Sequence, residues 1–180
     1  MMRVITGIAR GRRLETLQGE DITRPTIESV KEALFSMLQF ELEGRKVLDL
    51  FAGSGQLGIE ALSRGAESCT FIENNRQAVK VVEGNLSHCK LGDFARVVFS
   101  DALSFLMRGE SFDIVFLDPP YNKGLTEQCL NTLVKSMPDD GIIACETSAN
   151  EDLPEKIGSW SVDRSRRYGK TKLTLYRKES

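Results

Sequence analysis

Asp118, Pro119, Pro120 and Tyr121 follow one another and combine groups that could hold a flat amine. The two prolines fix two φ angles and remove two amide donors, which leaves the Pro119 carbonyl as an acceptor beside the Asp118 carboxylate. Two such acceptors can bind one NH₂ group, and the Tyr121 ring can stack on a planar ligand. Two prolines can also form a rigid turn that only ends a strand. We predict that these four residues bind and orient a planar amine.

A glycine-rich turn lies upstream, where Gly53, Gly55 and Gly58 stand in G-x-G-x-x-G spacing after the apolar run 47–51. Glycines at these places let a turn between strand and helix approach a ligand closely, although the spacing alone also suits a tight turn without a ligand. Glu73 ends the next apolar run, where a carboxylate can accept hydrogen bonds from two ribose hydroxyls. The combination predicts an adenosine-bearing cofactor.

Asp49 lies in the strand that leads into the glycine turn. A carboxylate there attracts a positively charged ligand and repels a pyrophosphate. S-adenosylmethionine carries a sulfonium and an ammonium group, whereas NAD carries a pyrophosphate. We therefore expect S-adenosylmethionine as the cofactor.

These motifs are embedded in an alternation of strand and helix patterns, which predicts an α/β fold with a mostly parallel sheet. Seven strands are expected, at residues 47–51, 68–72, 95–99, 112–117, 141–146, 160–163 and 173–177, and the last two should form an antiparallel hairpin. Helices are expected after Thr26 and over residues 57–63, 76–90, 102–107 and 125–137. Residues 3–17 alternate around Gly7 and Gly11, which predicts a short hairpin or extended arm with exposed faces. We expect one domain over residues 1–180, with the arm at 1–23 and the core at 24–180.

Composition excludes several classes of protein. No apolar run approaches the roughly 20 residues that span a bilayer, and the first residues lack the apolar stretch of a signal peptide, so we expect a cytoplasmic protein. His88 is the only histidine, and we expect it at the surface of a helix end. The four cysteines lack metal-site or disulfide spacing and are expected to be buried thiols: Cys69, Cys89, Cys129 and Cys145. No metal is expected.

The formal net charge of −2 argues against a protein that coats nucleic acid over its whole surface. Basic residues are nevertheless concentrated in residues 1–24 and 164–178. Such asymmetry allows a phosphate-binding face on an acidic body, while solvated surface charge is the alternative.

Two motifs resemble those of class I methyltransferases. Asp49-Leu50-Phe51-Ala52-Gly53-Ser54-Gly55 resembles motif I, and the tetrapeptide at 118–121 resembles the D/N-P-P-Y/F motif of enzymes that methylate exocyclic amines. The resemblance implies a Rossmann-like fold in which the loop holds the methionine moiety of the cofactor and Glu73 holds the ribose. It also implies that Asp101 and Ala102 contact the adenine ring, Asp101 by accepting a hydrogen bond from the adenine amine. An N-cap is the competing role for Asp101.

Three further segments resemble the bacterial guanine-N2 methyltransferases of small-subunit ribosomal RNA, the RsmD family. They are Gly7-Ile8-Ala9-Arg10-Gly11-Arg12-Arg13-Leu14, Arg24-Pro25-Thr26 with the helix that follows, and Glu60-Ala61-Leu62-Ser63-Arg64-Gly65-Ala66. The resemblance, which spans nearly the whole chain, implies methyl transfer to guanine N2 in ribosomal RNA or the small subunit. We expect a monomer whose RNA contacts include Arg10, Arg12, Arg13, Arg24, Thr26, Arg167 and Lys170.

Two rival functions remain open at this point. A DNA adenine-N6 methyltransferase would use the same tetrapeptide on another amine, but it usually carries a separate target-recognition region, and no insertion of that size is present. A cofactor-binding interaction module that has lost catalysis is the second rival. The intact Asp118 and Tyr121 argue against that module.

Overall fold

A computed structural model describes residues 1–17, 25–120 and 124–180, without the side chains of residues 25–27. The helices are α1 (Pro25–Met37), α2 (Gln56–Ser63), α3 (Arg76–Cys89), α4 (Ala102–Leu106) and α5 (Leu125–Leu133). The strands are β1 (Lys46–Asp49), β2 (Ser68–Glu73), β3 (Ala95–Phe99), β4 (Ile114–Leu117), β5 (Ile142–Ser148), β6 (Lys156–Ile157), β7 (Trp160–Tyr168) and β8 (Thr171–Lys178).

All the strands join one sheet in the order β3-β2-β1-β4-β5-β8-β7-β6. The strands from β3 to β5 are parallel to their neighbours, whereas β8, β7 and β6 pair antiparallel. The predicted α/β class, with a mostly parallel sheet and an antiparallel end, is confirmed. Because the chain turns from β1 toward β2 on one side and β4 on the other, a crevice opens at the carboxyl ends of β1 and β4.

The strand count differs from the prediction, since the described residues form eight strands and not seven. The additional strand, β6, is two residues long, which is too short for an alternating pattern to show in the sequence. Strand β7 also continues to Tyr168, well beyond the predicted end at residue 163. Its second half is exposed and rich in arginine, so apolar alternation does not reveal it, and the same charges protect the open edge of the strand from pairing with another chain.

Alternate side chains of each central strand enter two apolar layers. In β1, Val47 packs with α1, α2 and α3 on one face, and Leu48 packs with α4 and α5 on the other. All four cysteines are buried and unpaired, and His88 is exposed in the last turn of α3. Both expectations for these residue types are confirmed.

The N-terminal arm forms an irregular hairpin with a single bridge, between Arg3 and Arg13. The expectation that its faces are exposed is wrong for one face, because Val4, Ala9 and Leu14 are buried in the same layer as α1 and α2. These apolar residues are too widely spaced to form a recognisable strand pattern.

A buried carboxylate on α2 fastens this arm. Glu60 accepts hydrogen bonds from the amides of Ile5 (2.9 Å) and Thr6 (3.0 Å), and it forms ion pairs with Lys31 of α1 (3.3 Å) and with Arg64 (2.9 Å). The Glu60 side chain is fully buried. Because each of its oxygens has partners, the burial of its charge is compensated, and one side chain joins the arm, α1 and α2.

Replacing Glu60 should therefore be costly. We expect Glu60→Ala to lower the free energy of unfolding by about 3–5 kcal/mol, because it leaves the buried Lys31 ammonium without its partner. Urea unfolding measures the change, and Glu67→Ala at an exposed position nearby serves as the control, with an expected change within about 0.5 kcal/mol. Equal effects of the two substitutions would contradict the proposed role of Glu60.

Candidate cofactor and substrate site

The carboxyl edge of the parallel strands gathers the acidic residues that the sequence singled out. Asp49 ends β1, Glu73 ends β2, Asp101 follows β3 by two residues, and Asp118 follows β4 directly. Parallel strands in register end at the same edge of a sheet, so these four side chains surround one crevice. The structure thus brings the predicted cofactor residues and the start of the tetrapeptide together.

The turn after β1 depends on glycine at two places in particular. Gly55 has φ 82°, a left-handed conformation that residues with a Cβ rarely adopt. Gly58 lies in the first turns of α2, where an added Cβ would come within 2.3 Å of the Phe71 ring and 2.7 Å of Cys69 Sγ. The glycine at 58 therefore allows α2 to pack directly on β2, which sets the position of the loop formed by residues 50–55.

Asp49 is almost fully buried and accepts a hydrogen bond from the Gly58 amide at 3.0 Å. It thereby ties the end of β1 to the start of α2. Burial raises the pKa of Asp49 to about 7, the Gly58 hydrogen bond opposes this shift, and the charge of Glu73 adds to it. A nearby positive charge would favour the ionised form of this carboxyl group.

Glu73 also holds the glycine loop. Its Oε2 accepts from the Gly53 amide at 2.8 Å, and its Oε1 accepts from the Asn74 and Asn75 amides at 3.0 Å each. A carboxylate offers about four lone-pair directions, so three amides leave capacity for a ligand hydroxyl. Its carboxylate is therefore fixed in orientation where a ribose was predicted.

Asp101 is exposed and forms the N-cap of α4, with hydrogen bonds from the Leu103 amide (3.2 Å) and the Ser104 amide (3.0 Å). Hydrogen bonding with the Ser104 side chain is the main cause that holds its pKa below the usual value. The competing role considered for Asp101, an N-cap, is thus present. It is compatible with a contact to adenine, because each carboxylate oxygen accepts more than one hydrogen bond. Ala102, the next residue, is buried in the first turn of α4.

Asp118 and Pro119 are half-buried and Pro120 is exposed, while Tyr121 lies outside the described residues. Helix α1 supports this segment, because the Phe35 ring contacts Phe116 with a centroid distance of 5.6 Å. The tetrapeptide therefore begins at the crevice, two residues after a packed position of β4.

Sheet register shows two residues that the sequence did not single out. Glu146 of β5 lies one residue beyond the last pair of β4 and β5, which joins Leu117 to Cys145, and Asp118 lies in the same place on β4. Glu146 pairs with Leu173 of β8, and Leu173 pairs with Arg166 of β7. Asp118, Glu146, Leu173 and Arg166 thus form one row across the sheet. This row becomes visible only when the order of the strands is known. One local signal of a site residue was present in the sequence, because Glu146 is an acid within the apolar pattern of β5.

The basic β7–β8 turn lies at the same edge as the crevice, since Thr171 at the start of β8 pairs with Ser148 at the end of β5. Arg167 is exposed and donates to the Gly169 carbonyl at 3.2 Å, and Lys170 is exposed at the turn. Because side chains alternate along a strand, Arg166 and not Arg167 points to the face that carries Glu146.

The predicted RNA contacts of the N-terminal arm lie elsewhere. Arg10 and Arg13 are exposed, and Arg12 donates to the His88 carbonyl at the end of α3 (2.8 Å). The turn of the arm packs at Ser63, the last residue of α2, so about 12 Å of helix separates it from the glycine loop. The structure does not bring these arginines together with Asp118. Arg24 lies outside the described residues, and Thr26 belongs to the first turn of α1 without a described side chain.

Nowhere in residues 1–17, 25–120 and 124–180 do three His, Cys, Asp or Glu side chains form a group that could hold a metal ion. In the same part of the chain, no helix is long and apolar enough to cross a membrane.

The burial of Asp49 predicts a pH-dependent effect of its substitution. Its folded pKa lies above the value in the unfolded chain, so the folded state keeps a proton that the unfolded state releases, and the contribution of Asp49 to stability falls as the pH rises from about 4 to about 7. Asn imitates the protonated acid and does not titrate. The free energy of unfolding of Asp49→Asn minus that of the parent should therefore increase by about 4 kcal/mol across this pH range. Urea unfolding of both proteins at about pH 4 and about pH 8 measures the gain.

The exposed Asp93→Asn variant is the control for this experiment, and it should differ from the parent by the same small amount at both pH values. A stability difference for Asp49→Asn that does not change with pH would contradict the predicted proton uptake.

Comparisons with known proteins agree with this geometry. A model of the family described as Conserved hypothetical protein 95 matches residues 2–177. Ribosomal RNA small subunit methyltransferase D of Escherichia coli strain K12 is 39% identical over 182 residues, which cover 99% of this chain and 91% of that protein. The protein of the same name from Haemophilus influenzae is 36% identical over 183 residues, covering 97% and 93%.

A solved structure of yhhF from Escherichia coli superposes with a TM-score of 0.89 at 39% identity, over 99% of this chain and 98% of that chain. The likeness therefore includes the arm, the sheet and the closing hairpin. Taken with the match to the family model, it shows that the chain belongs to the Conserved hypothetical protein 95 family, the RsmD family of methyltransferases.

Proposed function

We propose that the protein transfers a methyl group from S-adenosylmethionine to the exocyclic N2 amine of a guanine in small-subunit ribosomal RNA. The observation that carries the proposal is the position of Asp118 and Pro119 at the end of β4, across the crevice from the glycine loop of β1. The names of the relatives, which are ribosomal RNA small subunit methyltransferases, support the same class of substrate.

The residues present fit S-adenosylmethionine. The loop formed by Phe51, Ala52, Gly53, Ser54 and Gly55 would hold the methionine moiety, Glu73 the ribose, and Asp101 with Ala102 the adenine. A bound cation would favour the ionised form of Asp49, whose negative charge behind the loop would suit that cation and oppose a pyrophosphate. When bound, the cofactor supplies an electrophilic methyl group on a sulfonium.

The contribution of the tetrapeptide is to orient the amine. Asp118 and the Pro119 carbonyl would accept the two N2 hydrogens, which directs the nitrogen lone pair toward the methyl carbon. Positive charge develops on the nitrogen as the new bond forms, and the Asp118 carboxylate stabilises this charge. The nitrogen would then pass one of its protons to the Asp118 carboxylate that accepts its hydrogen bond, and the proton would leave to solvent water. Tyr121 would stack on the base, which must be unstacked from the RNA to enter the crevice.

The basic residues would contact phosphates around the crevice. Arg167 and Lys170 lie at the crevice edge, and Arg166 lies in the row that contains Asp118 and Glu146. On this proposal, Arg10, Arg12 and Arg13 of the arm bind RNA at a distance from the target base, and Arg24 and Thr26 are further RNA contacts. Phosphate contacts would then position the RNA, and contacts with the base would select the target nucleotide. Such a substrate would be met in the cytoplasm.

Substitution of Asp118 tests the reaction. We expect Asp118→Ala to lower kcat by about 100-fold to 1,000-fold, because one stabilising acceptor of the transition state is lost. The assay incubates the protein with labelled S-adenosylmethionine and, separately, undermethylated ribosomal RNA, assembled small subunits and DNA, then digests the products to nucleosides. N2-methylguanosine from a ribosomal substrate is the expected product.

Cofactor affinity, measured by equilibrium dialysis, should stay unchanged in Asp118→Ala, and Asp93→Ala should keep full activity. Label in N6-methyladenosine, or only in DNA, would overturn the substrate assignment. Unchanged activity of Asp118→Ala would overturn the assigned role of the tetrapeptide.

The β7–β8 turn provides a second test. We expect the double variant Arg167→Ala, Lys170→Ala to raise the KM for the ribosomal substrate with little change in kcat, because two phosphate contacts are removed. The slope of log affinity against log salt concentration should also decrease by about 1–2. Lys135→Ala, at an exposed position just after α5, is the matched control. An unchanged salt slope in the double variant would show that the turn does not contact RNA.

A further inference from the structure

An amine-binding tetrapeptide alone does not select guanine, because adenine and cytosine also carry exocyclic amines. The ring nitrogen next to the amine differs between these bases. In guanine, N1 carries a hydrogen and shares the carbon C2 with the N2 amine, whereas the ring nitrogen beside the amine of adenine or cytosine is an acceptor. A hydrogen-bond acceptor beside Asp118 would therefore distinguish guanine from the other two bases.

Glu146 lies in the position that this selection requires. Pairing of β4 with β5 runs from Ile114 and Ile142 to Leu117 and Cys145, so Asp118 and Glu146 each follow the last pair. Neighbouring strands lie about 4.8 Å apart, and side chains at equivalent positions of parallel strands point to the same face. Two positions earlier, Phe116 and Ala144 both pack in the layer that contains α1. Asp118 and Glu146 accordingly face the same side at the crevice.

The surroundings of Glu146 are poorly suited to a charge that has only a structural role. Leu173, directly opposite on β8, is 1% exposed, and burial raises the pKa of Glu146 to about 6. No described lysine or arginine forms an ion pair with Glu146. A half-buried carboxylate beside such an apolar neighbour is costly unless donors compensate its charge, and a base with two adjacent N–H groups would supply such donors to Glu146 and Asp118 together.

We propose that the Glu146 carboxylate accepts the N1–H hydrogen bond of the target guanine while Asp118 and the Pro119 carbonyl hold its N2 amine. Glu146 is then the residue that selects guanine. This inference rests on the proposed function. Adenine or cytosine in the same pose would present a lone pair to the Glu146 carboxylate and leave it without a donor, which is the arrangement that buried polar sites reject most strongly.

The experiment uses 2-aminopurine, a base that keeps the 2-amino group of guanine but has an N1 acceptor in place of N1–H. Once fragment mapping of the labelled product has located the modified guanosine, a ligated ribosomal RNA carrying 2-aminopurine at that position can be compared with the guanine form. The wild-type protein should methylate the 2-aminopurine RNA with a kcat/KM at least about 100-fold below that for guanine.

Glu146→Gln should reverse part of this preference. The glutamine amide can donate to N1 of 2-aminopurine and can still accept from N1 of guanine, although as a neutral and weaker acceptor. We expect the ratio of kcat/KM for guanine over 2-aminopurine to fall by about 100-fold. Glu146→Ala should lose activity on guanine without gaining any on 2-aminopurine. The exposed Glu155→Gln should match the wild type.

A purely structural role for Glu146 would lower activity on both RNAs by the same factor and leave the ratio unchanged, and this result would overturn the inference. The proposed function fails separately. If the wild-type protein yields no N2-methylguanosine from any ribosomal substrate, the reaction assignment is wrong. If it yields N2-methylguanosine but the ratio is unchanged in Glu146→Gln, only the role of Glu146 is wrong.

Discussion

The crowding of carboxylates at one edge of the sheet is the constraint on which the rest of the site depends. Asp49, Glu73, Asp101, Asp118 and Glu146 all lie at or next to the carboxyl ends of adjacent strands. Such charges repel one another unless donors compensate them or burial raises a carboxyl pKa so that the group keeps its proton. Backbone amides bind the first three, and the glycine loop and the first turn of α4 are shaped by these bonds. The edge therefore suits a cationic cofactor and a ligand rich in N–H donors.

An acidic crevice must still admit a polyanion, and the arrangement of the sheet resolves this conflict. The antiparallel β7–β8 hairpin carries arginines to the same edge, but they lie on β7, three strands away from Asp118 on β4. At that distance, Arg166 and its neighbours can hold phosphates without neutralising the carboxylates that would face the base. A chain with a net charge of −2 can thus bind RNA locally, since only the charge within about one Debye length, roughly 8–10 Å, acts on a phosphate.

The sequence was sufficient for features that depend on neighbouring residues. The strand, turn and helix around Gly53 and the acids that end each strand follow from local pattern, and the parallel class follows from their alternation. Features that depend on strand order were not predictable. Glu146 and Arg166 join the row of Asp118 only because β5 lies between β4 and β8, and β8 lies next to β7. The strand β6 was not predictable for another reason, since two residues are too few to show a pattern. The burial of the arm likewise depends on Glu60, 54 residues or more away in sequence from the amides that it binds.

The N-terminal arm is attached both to α2 and, through Asn85, to the glycine loop at the crevice. The arm is fastened at its turn by Glu60 and Ser63, and at its base by Asn85 of α3, whose Nδ2 donates both to the Glu15 carbonyl and to the Ser54 carbonyl at 2.9 Å. Ser54 belongs to the glycine loop. A segment that resembles an RNA-binding appendage is therefore joined to the glycine loop through the buried side-chain amide of Asn85. Its burial on α2 and α3 makes it part of the scaffold that positions the loop, whichever of its exposed arginines contact a substrate.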